Sequence, residues 1–356
     1  MAARYGSVAA GLRHPAGLLW RRGNSRRLVL RRRTTLLAQQ PLSPTVGELT
    51  LKERVLAVVK PPLYAVAWVP VTVGFACAFC ESGTLAAERW ACLTAASCLV
   101  IAWLNLSNDA WDSETGVDQH KWESAVALLG SRRHVHALAW PLLALALALL
   151  SSVAPRDTLV LLTCAVACGH AYQAPPFRLS YRGLGEPLCF LAFGPLATSA
   201  FRLAAFSPSP PSIHSALSPL PLACCLLVGA TTTVILFCSH MHQVEGDIAA
   251  GKQSPVAQLG LERSALLLRL PLVAIHAAAT ALSALRCLPL PAGILTLAAV
   301  PRALSLDHFV REMRHDENRI GRAKFFAVKW HAAYGASLAF GIALPRLVKS
   351  SFNCLV

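Results

Sequence analysis

Stretches of about twenty predominantly apolar residues alternate along the chain with shorter polar breaks. This is the pattern of helices that cross a hydrocarbon layer about 30 Å thick. Nine such windows stand near residues 61–80, 89–107, 134–153, 158–174, 184–204, 220–239, 264–285, 287–305 and 327–347, with the break between the seventh and eighth the weakest boundary. Pro61, Pro62, Pro155, Pro187, Pro195 and Pro291 lie in or beside these windows, where membrane helices tolerate proline. Nothing alternates with the period of a strand. The expected fold class is therefore all-α, a polytopic membrane protein of about nine transmembrane helices.

With nine spans, parity puts the amino terminus and the connections after spans two, four, six and eight on one side of the bilayer. That side collects the long polar loops and fourteen Lys and Arg, among them Lys52, Lys121, Arg178, Arg182, Lys252 and Lys324. The other side has only Arg89, Arg156, Arg202 and Arg286. The positive-inside rule turns the basic side toward stroma, matrix or cytoplasm.

Composition agrees with a membrane address: 55% of residues are hydrophobic, 14% charged, and mean hydropathy is +0.50. The formal net charge of +15 invites a nucleic-acid reading, but nine of those charges are Arg within residues 1–47, which contain no acid. The remaining +6 is scattered between apolar runs rather than laid along a groove with aromatic residues, so no nucleic-acid partner is expected. The first 47 residues, rich in Arg, Ser and small residues, have the composition of an organelle transit peptide and are expected to stand outside the fold, leaving 48–356 as the membrane domain. Composition separates plastid from mitochondrial import poorly. Most of the twelve Cys lie in apolar windows, where a thiol acts as a small hydrophobe; Cys77 and Cys80 form one CxxC without the second pair or nearby His that zinc needs.

Two polar clusters interrupt this apolar pattern at the same membrane face. The second window ends in NLSNDAWDSETGVDQHK, residues 105–121, where helical spacing puts Asn105, Asn108, Asp109 and Asp112 on one face. Asp118 follows Gly116, a residue suited to turning the chain back on the first two carboxylates. The sixth window ends in HMHQVEGDIAAGKQSP, residues 240–255, where a continuing helix would align His240, Gln243 and Asp247. Acids at the end of an apolar helix are costly unless paired or bound to a cation. Facing carboxylates without a thiol suit Mg²⁺, which shares a few carboxylates with a substrate's phosphates. His240 and His242, two apart, diverge too far to make a zinc pair. Lys121, Arg178, Arg182 and Lys252 on the same side complete what resembles a diphosphate clamp.

Three motifs in this order, NDAWDSETGVD (108–118), YQAPPFRLSYRGLGEP (172–187) and EGDIAAGKQSP (245–255), resemble the UbiA superfamily of intramembrane aromatic prenyltransferases. They are most similar to its branch acting on 1,4-dihydroxy-2-naphthoate, with YRGLGE (181–186) the most branch-specific run. The resemblance covers roughly residues 50–350 and implies a nine-helix bundle holding a prenyl diphosphate, phytyl diphosphate in the plant members, through Mg²⁺ at Asn108, Asp109, Asp112 and Asp247. Asp118 joins this ligand set as a third carboxylate of the first motif. Asp109, Asp112, Asp247 and Lys121 would be the catalytic group, with Lys121, Arg182 and Lys252 on the diphosphate and Arg178 beside them as the fourth cation of the clamp. Tyr172 and Tyr181 would position the ring or stabilise an allylic cation through their π faces. One departure stands out: the family's second motif usually opens with Asp, where this chain has Gln243, an uncharged ligand ranked below the acids. The resemblance further implies loss of the acceptor's carboxyl, phylloquinone synthesis and a chloroplast membrane, inner envelope or thylakoid.

Rival acceptors remain open, since homogentisate and chlorophyll-type enzymes share the acidic motifs. A 4-hydroxybenzoate enzyme of the mitochondrial inner membrane suits the Arg-rich leader. A cation transporter is the alternative of a different class, but it would carry its acids near the bilayer midplane rather than at helix ends beside basic residues. The charged run 311–322 reads as a loop at an anionic lipid surface.

Overall fold

The computed structural model of the protein describes residues 50–117, 124–206 and 209–353. Every regular element among them is helical. The expected leader, 1–47, lies outside the described residues, as do Asp118 and Lys121.

Nine helical spans are present among the described residues, each overlapping one predicted window. They are α1 (Ala65–Ser82), α2 (Ala87–Thr115), α3 (Arg132–Val153) and α4 (Arg156–Gln173); α5 (Gly185–Ala205); α6 (Pro219–Ser239); α7 (Leu261–Ala284) and α8 (Leu290–Met313); and α9 (Ala323–Asn353). Seven are long and apolar enough to cross a membrane by length and composition. The other two, α4 and α9, carry more polar residues, including Arg156, Asp157 and His170 in α4 and Lys324, Lys329 and Arg346 in α9.

Local chemistry sets the ends. Gly83, Gly116 and Gly130 adopt left-handed backbone after α1, α2 and the short helix Ala125–Leu129, a conformation that stops a helix and that glycine reaches without a Cβ clash. Ser131 caps α3 by accepting from the His134 N–H. Ala174, extended because Pro175 follows it, closes α4. Pro70 and Pro141 sit inside α1 and α3, and Pro195 lies within a π-helical turn, Ala192–Thr198, in the middle of α5.

Two groups of spans form separate cores. Val69 (α1), Leu227 (α6), Ile275 (α7), Phe309 (α8) and Trp330 (α9) belong to one. Phe75 (α1), Leu93 (α2), Leu150 (α3), Leu162 (α4) and Phe201 (α5) belong to the other, while Trp103 and Leu143 join α2 to α3. The helices α5 and α6 approach through glycines: a Cβ on Gly194 would strike the Cys225 carbonyl, and one on Gly229 would lie 2.8 Å from the Phe190 carbonyl. At the far end of α1, Arg202 binds Glu81 at 2.8 Å while Arg346 donates to the carbonyls of Cys80 (2.8 Å) and Glu81 (3.0 Å). The two Arg346 bonds satisfy carbonyls the helix leaves open.

The cysteines are free thiols among the described residues, so the CxxC forms neither a disulfide nor a metal site there.

Candidate active site

Between the two cores lies a cavity of about 290 Å³ whose walls come from α1, α2, α4, α5 and α6. Its body is apolar, lined for example by Val66, Ile101, Leu162, Leu188 and Phe193, while its mouth is polar. The first acidic cluster stands at that mouth: Asn108, Asp109 and Asp112 all line it, with Asp109 1% and Asp112 4% exposed. Asp109 Oδ2 accepts the Ala125 N–H and the Lys60 ammonium, each at 2.8 Å. Asp112 accepts the Asn108 amide at 2.9 Å on one oxygen and the Tyr181 hydroxyl at 3.0 Å on the other. Thr115 lies 2.6 Å from that same hydroxyl. Burial, and next the Asp112 carboxylate, push the Tyr181 phenol well above its usual range. It therefore stays protonated and keeps its hydrogen for Asp112.

The second motif departs from the expected continuous helix. α6 ends at Ser239, His240–His242 form one 3₁₀ turn, and Gln243, at φ −125°, separates that turn from the short helix Val244–Ala249. His240, Gln243 and Asp247 consequently do not share a helical face. His240 and Gln243 line the cavity, whereas Asp247 is fully buried behind it. Asp247 Oδ2 accepts from Ser254 at 3.2 Å. Its Oδ1 has no hydrogen-bond donor and faces the Lys252 ammonium at 3.5 Å. Lys252 in turn lines the cavity and stands 5.6 Å over the Tyr181 ring. The two acidic motifs are thus joined through a phenol and an ammonium. The backbone reinforces the link, because the Gln253 N–H donates to the Tyr181 carbonyl at 3.0 Å.

Arg178 and Arg182 are not at the cavity. Arg178 binds Glu114 at 2.6 Å, and Arg132 holds the other oxygen of the same carboxylate. Arg182 is exposed. The three lysines that line the mouth are Lys60, Lys252 and Lys324. Lys60 and Lys324 were absent from the expected clamp. Sequence spacing hid Lys60, which lies 49 residues before Asp109 and meets it through the fold. The available signal was its place just ahead of Pro61–Pro62 on the side where the acids were expected. Gln173 was also missed: it lines the cavity at 1% exposure, and neither its amide nitrogen nor its amide oxygen has a hydrogen-bond partner. Burying an unpaired amide costs about 1–3 kcal/mol by mutational measures, which a polar ligand would offset.

The donor set suits a hard cation. Asn108, Asp109, Asp112 and Asp247 offer only oxygens, and Asp247 Oδ1 is a buried carboxylate oxygen without a hydrogen bond. Among the described residues, no three acidic, His or Cys side chains converge as a ready cage. The lysines explain this, since Lys60 is bonded to Asp109 and Lys252 faces Asp247. An ion shared with a ligand's phosphate oxygens asks for fewer protein ligands than a closed cage does.

A helical membrane protein with an apolar cavity, and with acids, lysines and phenols gathered at its mouth, is built for an amphiphile with an anionic head and a hydrocarbon tail. The chain belongs to the UbiA prenyltransferase family, whose sequence model matches residues 67–334. It is 44% identical over 292 residues to the chloroplastic 2-carboxy-1,4-naphthoquinone phytyltransferase of Arabidopsis thaliana, covering 81% of this chain and 76% of that protein. It is 40% identical over 306 residues to the 2-carboxy-1,4-naphthoquinone phytyltransferase of Synechocystis, covering 85% and 96%. The fold is shared with a UbiA homolog from Aeropyrum pernix (TM-score 0.62, 14% identity, 81% of this chain and 98% of that one). It is also shared with one from Archaeoglobus fulgidus bound to GPP and Mg²⁺ (TM-score 0.52, 14% identity, 80% and 99%). The protein is a membrane-embedded prenyltransferase.

Proposed function

We propose that the protein transfers a phytyl group from phytyl diphosphate to 1,4-dihydroxy-2-naphthoate with loss of the carboxyl group, the prenylation step of phylloquinone synthesis. The observation that carries this reading is the 40% identity extending over 96% of the Synechocystis phytyltransferase. The name of that protein gives the quinone as its acceptor. Its reduced form, the dihydroxynaphthoate, is the electron-rich ring that an allylic electrophile needs.

The cavity accounts for the division of labour. The phytyl chain lies along the apolar wall among α1, α2, α4 and α5, and the diphosphate stays at the mouth, within reach of Lys60, Lys252 and Lys324. These ammonium groups stabilise the charge that gathers on the departing diphosphate. Asn108, Asp109 and Asp112 on one side and Asp247 on the other would hold Mg²⁺. Bound there, Mg²⁺ adds Lewis-acid stabilisation of the leaving group. Gln243 lines the cavity as a neutral oxygen donor on the second-motif side. The apolar walls keep water from the electrophilic carbon. Tyr181, fixed by Asp112 and Thr115, presents its ring beneath the Lys252 ammonium. Asp118 and Lys121, which follow the first motif in the sequence, are read as further members of this set, a ligand for the metal and a cation for the diphosphate.

The full chain, expressed in membranes of a host without the activity and given Mg²⁺ and phytyl diphosphate, is expected to convert 1,4-dihydroxy-2-naphthoate to a prenylated, decarboxylated product. EDTA abolishes the product, and homogentisate and 4-hydroxybenzoate give none. Mass spectrometry reads the outcome; preference for either other acceptor would overturn the naphthoate assignment while leaving the prenyltransferase intact.

The basic segment 1–47 is read as the plastid import signal, in keeping with the chloroplastic Arabidopsis relative. A fluorescent reporter carrying these residues is expected in plastids. Its arrival in mitochondria would reverse the address.

A further inference from the structure

The reaction proposed above leaves unassigned a chain of three polar side chains, two buried and one half-buried, at the ends of three spans. Tyr172, in the last turn of α4, has its hydroxyl 3.3 Å from His240 Nε2. His240, just past the end of α6, has its Nδ1 3.0 Å from Glu186 Oε1. Glu186 lies in the first turn of α5 and is 8% exposed; His240 is 3% exposed. Tyr172 and His240 line the cavity, and Glu186 stands behind them. With the imidazole neutral, the direction of the bonds follows. A carboxylate accepts the Nδ1 hydrogen, so Nε2 carries the lone pair and receives the Tyr172 hydroxyl hydrogen. The phenol oxygen is then left with acceptor capacity toward the cavity.

The segment that supplies Glu186 is the run singled out in the sequence as most specific to the naphthoate branch, and the structure gives it a physical purpose. The Gly185 backbone lies against the Tyr172 ring, where a Cβ would meet Cε2 at 3.0 Å. Ser180 donates to the Tyr172 carbonyl at 2.6 Å. Residues 180–186 therefore hold Tyr172 from two sides and place the carboxylate that orients its imidazole partner. The other predicted phenol, Tyr181, does not line the cavity and is committed to Asp112 and Thr115.

We propose that Tyr172, His240 and Glu186 form a proton relay that takes the hydroxyl hydrogen of the aromatic acceptor and later returns it. The proposal rests on the naphthoate reading above. As the ring carbon bearing the carboxylate bonds to the allylic carbon, the allylic C–O bond breaks and its electron pair leaves with the diphosphate. The neighbouring naphthol O–H gives its proton to the Tyr172 oxygen, and the Tyr172 hydrogen passes to His240 Nε2. The imidazolium so formed is paired with Glu186. The ring is now a ketone with a carboxylate and a prenyl group on the adjacent carbon. The C–CO₂ bond breaks, its electrons move onto the carbonyl oxygen, and the relay runs backward to protonate it. Carbon dioxide and the prenylated quinol leave, with no oxidant, reductant or net proton consumed. Tyr172 touches the acceptor; His240 and Glu186 are positioning residues that act through it.

The test compares Tyr172→Phe, His240→Gln and Glu186→Gln with the unaltered full-length protein in membranes. Two acceptors are used, 1,4-dihydroxy-2-naphthoate and a ring-halogenated derivative whose hydroxyl is already ionised at the assay pH. Tyr172→Phe keeps the aromatic face and loses only the hydroxyl. Each variant is expected to lower kcat on the ordinary acceptor by about 10²-fold, the usual worth of a positioned acid–base group. The His240→Gln/Glu186→Gln double variant should be no worse than His240→Gln alone, as for residues acting as a unit. On the pre-ionised acceptor the deficit should shrink at least tenfold, which a purely structural role would not produce. Tyr172→Phe and Glu186→Gln both within twofold of the unaltered protein, or an equal deficit on both acceptors, would overturn the relay. An unaltered protein that makes no product from either naphthoate overturns the acceptor reading and the relay with it, and so is told apart from a failure of the relay alone.

Discussion

Asp109→Asn and Asp112→Asn each lower prenyl transfer by about 10³-fold or more, since several preorganised charges act on one leaving group and the loss of a single stabiliser alone costs 10²–10³. Asparagine preserves shape and removes the charge, so the change separates electrostatics from packing. In Asp112→Asn the new amide nitrogen has to face either the Asn108 amide or the Tyr181 hydroxyl, both of which now donate to this side chain. Facing Asn108 it meets another amide donor, and facing Tyr181 it reverses that bond, so that the phenol accepts and turns its hydrogen to Thr115. In Asp109→Asn the amide oxygen can still accept from Ala125, but the buried Lys60 ammonium loses its counter-charge. Asp112→Asn should be present in the membrane at normal abundance, because Asp112 does not belong to the apolar cores that hold the spans together, whereas Asp109→Asn breaks a buried ion pair and should be less stable and less abundant. Initial rates normalised to membrane-embedded protein measure the effect; activity within about tenfold of the unaltered protein in both would remove these carboxylates from the chemistry.

The spans could be read from the sequence because a bilayer imposes a length: about twenty apolar residues are needed, whatever the neighbours do. Each window found that way overlaps a helical span. The side on which the polar residues meet was legible too, since parity follows from counting. What could not be read is how each polar side chain is used once there. Helical spacing predicted that His240, Gln243 and Asp247 share a face, but the chain leaves the helix at Ser239, so His240 turns to Glu186 while Asp247 meets Lys252. A place on the same side of the membrane as the acids suggested Arg178 as a diphosphate ligand. In the fold, Glu114 lies closer and takes it. Lys60 stands outside every motif, and Gln173 stands in the second one with nothing in its spacing to mark it. One sits before an apolar run and the other ends one, and only packing shows that both face the same cavity.

Lys60→Met is the second large effect, and it distinguishes a structural ion pair from a substrate ligand. Lys60 is 9% exposed and holds a left-handed backbone conformation (φ 49°, ψ 56°), which costs a non-glycine residue about 1–3 kcal/mol. That strain is compensated by what the residue does, which is to turn an ammonium inward from the amino-terminal edge of α1 to Asp109 at 2.8 Å. Methionine keeps the stem's volume and removes the charge. Two consequences follow. Asp109 loses the ammonium 2.8 Å from its carboxylate, and breaking a well-buried pair costs about 3–5 kcal/mol, so the ligand-free protein unfolds at lower temperature. The mouth also loses one of its three lysines, so KM for phytyl diphosphate rises at least tenfold while KM for the acceptor changes little. Combining Lys60→Met with Asp109→Asn separates the two roles. If Lys60 serves only Asp109, the double variant binds phytyl diphosphate as Asp109→Asn alone does, because the partner it was stabilising is already neutral. If the ammonium passes to the diphosphate when substrate enters, Lys60→Met weakens binding by the same factor in both backgrounds. The second outcome is expected, because a lysine at the cavity mouth reaches both the carboxylate and the space where the leaving group must sit. Titration of thermal stability against phytyl diphosphate in the four proteins measures the coupling directly.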